Sequence, residues 1–226
     1  VLALVQKSGV HRAALLLHQE GALSWGQSET QQDLDRRSFH FRAAIDCYLD
    51  DDDPEFRREV FAYVKKECSG SSDDGPDREP KPNSLRDALA SKLTNLVQLD
   101  SLLTAELVAE LFIDDLDLVI RKLDDEYAQF LFLQAIISGN LDRKDQVAGS
   151  VLNANLSMEH HHKYLGLMAK LHPEDVYEYL QSHDNYRPET CLPLCQKHDI
   201  ADASCYLLER MGNVSSALQL ILQTLE

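Results

Sequence analysis

The amino-acid sequence predicts an all-α fold, an α-solenoid built from short antiparallel helix pairs. Three observations support this prediction. Apolar residues recur at helical spacing along most of the 226-residue chain, no segment alternates apolar and polar residues over a strand's length, and helix-start signals return at short, regular intervals. Glycine and proline, which interrupt helices, number only 9 and 7.

The apolar spacing predicts individual helices. Leu107, Val108, Leu111 and Phe112 lie on one face, and a second stripe from Leu116 to Leu131 predicts one long helix. A third stripe runs from Val214 to Leu225. Since such stripes normally face a core, we expect Leu218 and Ile221 to be buried.

Proline followed by glutamate marks three helix starts, at Pro54, Pro173 and Pro188. Proline suits the first helical position because the N–H that it lacks has no partner inside a helix. Two further starts resemble capping boxes, Ser84 with Asp87 and Asp199 with Asp202. Gly212 is expected to end one helix, and Asn213 to cap the next.

Five predicted caps give the repeat length in the C-terminal half, and they lie at Ser157, His172, Arg187, Asp199 and Asn213. Their spacing gives about 12–15 residues for one helix with its turn and about 26–30 residues for a helix pair. Helices this short are marginal alone and must pack on neighbours, as they do in a solenoid. An irregular helical domain with helices of similar length is the alternative.

We divide the chain into three parts. Residues 1–68 are predicted to form N-terminal helix pairs with a polar insertion at 22–38, in which Trp25 packs locally or serves as a contact. Residues 69–84, rich in acidic residues and proline, are predicted to be a disordered linker loop. Residues 85–226 are predicted to form the solenoid repeats. Both ends are apolar and helical in pattern, so we expect the chain to be a fragment of a larger protein.

Charge and hydropathy exclude several classes of protein. The formal net charge is −16, which opposes general binding to nucleic acid. The longest apolar run is five residues, far below the roughly 20 needed to span a bilayer, so we expect no direct membrane insertion. Five sparse cysteines do not suggest a disulfide framework and favour a cytoplasmic location.

Two clusters could in principle bind a metal. The run His160, His161 and His162 diverges by about 100° per residue on a helix, so solvent-facing polar residues are the favoured interpretation. Cys191, Cys195 and His198 share a helix face, but that face should also be the buried stripe, and packing is favoured over zinc or redox use.

Signatures of enzymes are missing from the sequence. It contains no phosphate-binding glycine loop, no zinc-protease or serine-hydrolase motif and no kinase set. Paired acids such as Asp114/Asp115 and Asp124/Asp125 are typical of solvated helix starts, and the tyrosines Tyr177, Tyr179, Tyr186 and Tyr206 are too spread out to suggest a ligand groove. We therefore predict that the chain is not an enzyme and has no catalytic, cofactor or metal site.

Several stretches resemble a known family. The C-terminal residues resemble a clathrin heavy-chain repeat, with a helix that ends in Tyr206–Gly212, a tight turn and then Ala217–Leu222. Several families of trafficking solenoids share this turn pattern. Arg42–Leu49, Glu59–Tyr63, Ala105–Ala109, Val119–Leu123 and Tyr186–Leu222 are together similar to the vacuolar protein sorting-associated protein 8 family of CORVET tethering subunits.

The resemblance implies a scaffold segment of an endosomal tether that supports vesicle tethering and transport to the vacuole or lysosome. It implies a peripheral location on the cytosolic face of endosomes. The implied partners are class C core subunits and, through the full-length protein, an early-endosomal Rab GTPase. The alternative is a peptide-binding helical-repeat adaptor of another trafficking complex, HOPS-like or coat-like, although the 34-residue tetratricopeptide signature is absent.

Overall fold

The computed structural model describes residues 11–23, 31–69, 83–142 and 147–224, and within these ranges it contains helices and no strand. The predicted all-α class is confirmed. The fourteen α-helices of the described ranges are α1 (His11–Leu23), α2 (Gln31–Leu49), α3 (Pro54–Ser69), α4 (Asn83–Ala90), α5 (Leu93–Leu99), α6 (Ser101–Leu111), α7 (Leu116–Lys122), α8 (Glu126–Asp142), α9 (Val147–Ala154), α10 (Met158–Leu171), α11 (Val176–Ser182), α12 (Pro188–Lys197), α13 (Ala201–Arg210) and α14 (Val214–Thr224). Among them, none is both long and apolar enough to cross a membrane.

The chain forms two compact units, Val1–Ala128 and Gln129–Glu226. In the first unit, α2 packs against α1, α3 and α4, while α5 packs against α6 and α7. The core of this unit is aliphatic and aromatic, and its fully buried members include Ile45, Val60, Leu89, Leu96 and Ile120. These helices are too short to be stable alone. Each one is stabilised because its apolar face is buried against a neighbouring helix.

The second unit repeats the same pattern of neighbours. Helix α10 packs against α11 and α12, and α13 packs against α11, α12 and α14. Its interior is formed by residues such as Phe132, Leu165, Val176, Leu180 and Leu207. The packing of α10 to α14 on neighbouring helices along the chain is the nearest-neighbour arrangement of an α-solenoid.

Most predicted helix starts are confirmed. Pro54 and Pro188 are the first residues of α3 and α12, and Pro173 opens a 3₁₀ turn, Pro173–Asp175, that leads into α11. Ser157 caps α10 and Asn213 caps α14, where its Oδ1 lies 3.4 Å from the Ser216 amide. Gly212 has φ +78°, the left-handed conformation that a helix-ending glycine adopts readily.

Both predicted capping boxes with aspartate were wrong. Helix α4 begins at Asn83, so Ser84 lies inside its first turn rather than before it. Asp199 has φ 55° and belongs to the turn that closes α12, while Ile200 precedes α13. Aspartate tolerates the left-handed region better than most residues, and the chain uses that tolerance to reverse direction between the two helices.

The single long helix predicted from Leu116 to Leu131 is also wrong. Helix α7 ends at Lys122, Leu123 is extended, and α8 begins at Glu126. Asp125 Oδ2 accepts a hydrogen bond from the Ala128 amide at 3.0 Å, which stabilises the new helix start. Aspartate side chains compete with the helix in this way, and an apolar stripe alone does not reveal the interruption.

The expected burial of Leu218 and Ile221 was wrong as well. Leu218 is 56% exposed and Ile221 is 42% exposed, whereas Ala217 is buried. Helix α14 packs on α13 through the Ala217 side, where the Cys205 thiol lies 3.7 Å from the Ala217 carbonyl oxygen. Apolar residues occupy more of the circumference of α14 than α13 covers, so part of the stripe faces outward.

The predicted insertion and linker lie partly within helices. Of the insertion at 22–38, residues 22–23 end α1 and residues 31–38 begin α2. Residues 24–30, with Trp25, and residues 70–82 of the predicted linker lie outside the described residues. The two compact units divide at residues 128 and 129.

Candidate interaction surfaces

The three consecutive histidines of α10 have three different roles. His160 Nδ1 lies 3.1 Å from the Ser157 amide and completes a capping box, a role that we did not predict for it. His161 is buried and not solvent-facing as expected, because the first turn of α10 directs it toward α11. His162 Nδ1 is buried and has no hydrogen-bond partner among the described residues. The three rings therefore do not converge on a metal site.

His161 belongs to a buried hydrogen-bonded network between α10 and α11. Its Nδ1 lies 2.9 Å from the Tyr179 hydroxyl, and the Tyr179 ring stacks on His183 with centroids 4.4 Å apart. Burial lowers the pKa of His161, and the nearby His183 and His160 lower it further. Burial also raises the pKa of Tyr179. Both pKa shifts favour the neutral forms of the two groups, which suits packing between helices.

Cys191 and Cys195 are fully buried along the inward face of α12. Burial raises the pKa of both thiols, that of Cys195 to about 12. His198 lies at the C-terminal end of the helix and is only half-buried. Both thiols lie among the buried side chains of the second unit, an arrangement that fits core packing.

Three other residues bring possible ligand atoms together. His172, Glu174 and Asp175 each place one nitrogen or oxygen within 4.8 Å of the others, and they form the only such group of three among the described residues. They lie on the 3₁₀ turn before α11, where both carboxylates are exposed. The sequence analysis did not identify this group, and exposed acids at a turn are common without a metal.

A cluster around Arg210 joins α13 to the segment between α11 and α12. Arg210 Nη1 donates to the Tyr186 hydroxyl at 2.6 Å, and Nη2 donates to Asp184 Oδ1 at 3.0 Å. The Tyr186 hydroxyl donates to the Leu180 carbonyl at 2.8 Å. Burial raises the pKa of Tyr186 to about 12, although the Arg210 hydrogen bond acts in the opposite direction. Two of the tyrosines that looked dispersed in sequence therefore lie near one arginine, since the Arg210 guanidinium is 5.4 Å from the Tyr186 ring centroid and 5.9 Å from that of Tyr206.

The paired acids have local structural roles. Asp125 caps α8, and its Oδ2 also accepts a hydrogen bond from the side-chain Nε2 of Gln98 at 3.3 Å. Asp115 Oδ2 lies 2.8 Å from Arg86 Nη2, and Asp114 and Asp124 are exposed. The exposed pair between Arg86 and Asp115 contributes little stability, since surface pairs are worth about 0–1 kcal/mol.

A shallow groove lies between α4 and α7 in the first unit. Its volume is about 220 Å³, and Leu93, Phe112 and Leu118 supply apolar walls. The Arg86 guanidinium lies 5.0 Å from the Phe112 ring centroid, so the same cation packs on the ring and pairs with Asp115. The groove is smaller than the pockets of about 300–1,000 Å³ that hold small ligands, and it is sized for one apolar side chain.

The outer face of α14 is an exposed apolar surface of the second unit. Val214, Leu218 and Leu222, at positions i, i+4 and i+8, form a line that we call the α14 stripe. They are 53%, 56% and 65% exposed. Scattered exposed leucines are ordinary, but a continuous apolar line on one helix is typical of a face that packs against another helix.

Comparison with known families places the chain among vacuolar sorting proteins. The family model described as the Vps41 TPR-like region matches residues 82–226, more than half of the chain. The sequence lacks the 34-residue tetratricopeptide signature, so the likeness to such repeats lies in the paired short helices. No solved structure shows a significant match.

Individual relatives agree with the family match. The chain is 29% identical over 193 residues to the vacuolar protein sorting-associated protein 8 homolog of Mus musculus, covering 84% of this chain and 13% of that protein. It is 29% identical over 190 residues to the Homo sapiens homolog, with the same coverage. The vacuolar protein sorting-associated protein 41 homolog of Homo sapiens is 26% identical over 144 residues, 63% of this chain and 16% of that protein. The predicted relationship is confirmed, and the chain spans about one seventh of these relatives.

Proposed function

Because the chain belongs to the Vps41 TPR-like region family, we propose that it is a protein-binding scaffold segment of a tethering complex in vacuolar protein sorting. The observation that carries the proposal is the ladder of short helices α10–α14 in the matched region, in which each helix but the last packs on one or two of the helices that follow it. Such ladders present long surfaces for other proteins. The similarity to the protein 8 and protein 41 homologues supports the same role.

The proposal extends to a specific complex. We propose a CORVET-like role in tethering early endosomes, with class C core subunits as partners and with an early-endosomal Rab GTPase bound through the longer protein. The supporting observation is coverage, since the match to the protein 8 homologues extends over 84% of the chain and that to the protein 41 homologues over 63%. The corresponding location is peripheral, on the cytosolic face of endosomal membranes.

The proposed role is not enzymatic. Two buried polar groups of the second unit, His161 and Tyr186, are engaged in hydrogen bonds that join neighbouring segments. Burial disfavours the reactive, ionised forms of Cys191 and Cys195. We therefore expect purified protein to contain no zinc, and stoichiometric zinc by elemental analysis would contradict this part of the proposal.

The scaffold role can be tested with defined proteins. The purified chain is immobilised and incubated separately with recombinant class C core subunits and with the subunits specific to CORVET-like and HOPS-like complexes. We expect retention of at least one core subunit, and stronger retention of CORVET-like than of HOPS-like subunits. Retention of HOPS-like subunits alone would favour the adaptor alternative. Retention of none, with the chain folded by circular dichroism, would overturn the scaffold role.

A further inference from the structure

Helix α1 carries a buried histidine on the face that packs against α2. Ala14, Leu15 and His18 are the buried residues of α1 among those whose burial is described. They lie at positions i, i+1 and i+4, and α2 is the helix against which α1 mainly packs. A histidine with no exposed surface on such a face requires a polar partner inside the interface.

His40 of α2 provides a partner for this buried ring. The Nδ1 atoms of His18 and His40 lie 3.3 Å apart, and the ring centroids are 5.5 Å apart. Phe39 packs edge-on against both rings, with centroids 6.1 Å from His18 and 5.6 Å from His40. In the neutral pair one Nδ1–H donates and the other Nδ1 accepts, so the contact needs at least one Nδ1 that keeps its lone pair.

The groups around the pair oppose a second proton. Burial and the neighbouring His40 lower the pKa of His18, whereas Asp46 of α2 acts in the opposite direction. Burial also lowers the pKa of His40. Asp46 is itself engaged by Lys92, whose Nζ lies 2.5 Å from its Oδ1. The one acid that favours a charged His18 is therefore already paired with a cation.

The other polar contacts of α1 do not titrate in the same range. Arg12 Nη2 donates to Asp53 Oδ2 at 2.7 Å, and its Nε lies 3.5 Å from Asp51 Oδ2. The hydrogen bond from Arg12 lowers the pKa of Asp53, so this ion pair persists in mild acid. Gln19 Nε2 lies 3.5 Å from the Tyr48 hydroxyl, whose pKa is raised by burial. The histidine pair is thus the described contact of α1 that a moderate fall in pH changes.

From this geometry we propose that His18 and His40 form a pH-sensitive latch, which holds α1 on α2 and releases it when both imidazoles are protonated. With a proton on both Nδ1 atoms neither can accept, and two like charges face each other inside the interface. Release of α1 exposes Ala14 and Leu15 to water. The inference goes beyond the proposed scaffold function and does not rest on it.

The sign of the pH dependence follows from the two lowered pKa values. Both folded-state values lie below the ordinary value of 6.5, so the released helix binds protons more readily than the docked one. The docking of α1 is therefore most stable above pH 6.5 and weakens as the pH falls through the folded-state values.

Hydrogen exchange measured by mass spectrometry on the full 226-residue chain tests the latch. Protection factors, corrected for the pH dependence of intrinsic exchange, are compared at pH 7.5, 6.5 and 5.5. We expect the protection of α1 to fall at least about tenfold between pH 7.5 and 5.5, because two buried groups titrate in its interface. Helices α5–α7 are the internal control, since residues 41–159 contain no histidine, and their protection should change less than about threefold.

Three single variants assign the effect to the pair. His40→Gln retains a side chain that can hydrogen-bond His18 but cannot be protonated, so it should reduce the loss of α1 protection at least about threefold. His18→Gln removes the other member of the pair and should reduce the loss in the same way. His11→Gln removes a histidine of the same helix that lies outside the pair, and it should leave the full loss. Circular dichroism at pH 7.5 checks that each variant keeps its helices.

Three outcomes would overturn the inference. Equal loss of protection in α1 and in α5–α7 would indicate general unfolding and no latch. A full loss of α1 protection in His40→Gln would show that the second proton on the pair is not the cause, even if His18→Gln no longer docks α1. A loss that His11→Gln reduces as much as His40→Gln would assign the effect to charge on α1 in general.

Discussion

Arg210 Nη1 donates a hydrogen bond to the Tyr186 hydroxyl at 2.6 Å, and this contact fastens α13 to the segment that precedes α12. The same hydroxyl donates to the Leu180 carbonyl, so a single buried oxygen links three parts of the second unit. We expect Tyr186→Phe to lower the free energy of unfolding by about 1–2 kcal/mol, because a buried carbonyl loses its donor. Urea denaturation of the chain measures the change.

The neighbouring ion pair provides a control for that prediction. The Asp184 side chain is 85% exposed, so Asp184→Ala should change the free energy of unfolding by less than about 1 kcal/mol even though it removes a charged partner of Arg210. Equal losses for Asp184→Ala and Tyr186→Phe would contradict the assignment of the stabilisation to the buried hydroxyl.

The sequence was sufficient for the fold class and for most helix starts, since both depend on local chemistry. Each of these starts depends on a residue in the first turn of the helix, namely Pro54, Ser157 or Pro188. A short stretch of sequence is therefore enough to predict it. The break at Leu123 was missed because an apolar stripe continues across it. The exposure of Leu218 was missed because burial depends on which neighbour covers a helix, and periodicity carries no information about that.

The hydrogen bonds between polar groups of the second unit could not be predicted from the sequence either. Tyr179 lies 18 residues from His161, and Tyr186 lies 24 residues from Arg210, so each pair meets only after the helices stack. The buried Cys191 and Cys195 were within reach, because their i, i+4 spacing marks the inward face of α12. Side chains that pack along one helix can be inferred from spacing, but those that meet across helices require the fold.

Stability should fall as the pH is lowered from neutral, and His161 should contribute. Burial lowers the folded-state pKa of His161 below its ordinary value of 6.5. The unfolded chain therefore binds a proton first, so the contribution is present above pH 6.5 and is lost as the pH falls through the folded-state pKa. The loss is about 1.4 kcal/mol for each unit by which the pKa is lowered. Urea denaturation at pH 7.5, 6.5 and 5.5 measures it.

Two variants separate this titration from simple loss of packing. His161→Gln should reduce the pH dependence, leaving the parts due to His18 and His40, whose pKa values burial also lowers. Tyr179→Phe removes the 2.9 Å hydrogen bond but keeps the buried imidazole, so it should lower stability by about 1 kcal/mol while preserving the pH dependence. An unchanged pH dependence in His161→Gln would show that this histidine does not titrate as described.

The five cysteines should react with a thiol reagent in two classes. Cys47, Cys191 and Cys195 are buried, and burial raises the pKa of each, whereas Cys68 and Cys205 are partly exposed. At pH 8 we expect the buried three to react at least about tenfold more slowly than the other two, because reaction requires local opening as well as ionisation. Timed alkylation followed by peptide mass spectrometry assigns each rate. Rapid modification of Cys195 in folded protein would contradict its burial.

Two leucines of the second unit should respond very differently to the same substitution. Leu207 is fully buried on α13, and Leu218 is 56% exposed on α14. Leu207→Ala should lower the free energy of unfolding by about 2–5 kcal/mol through lost contacts and a residual cavity. Leu218→Ala should change it by less than about 0.5 kcal/mol, as is usual at exposed positions. Urea denaturation of both variants in one buffer gives the comparison directly. A loss for Leu218→Ala as large as that for Leu207→Ala would contradict the exposure of Leu218.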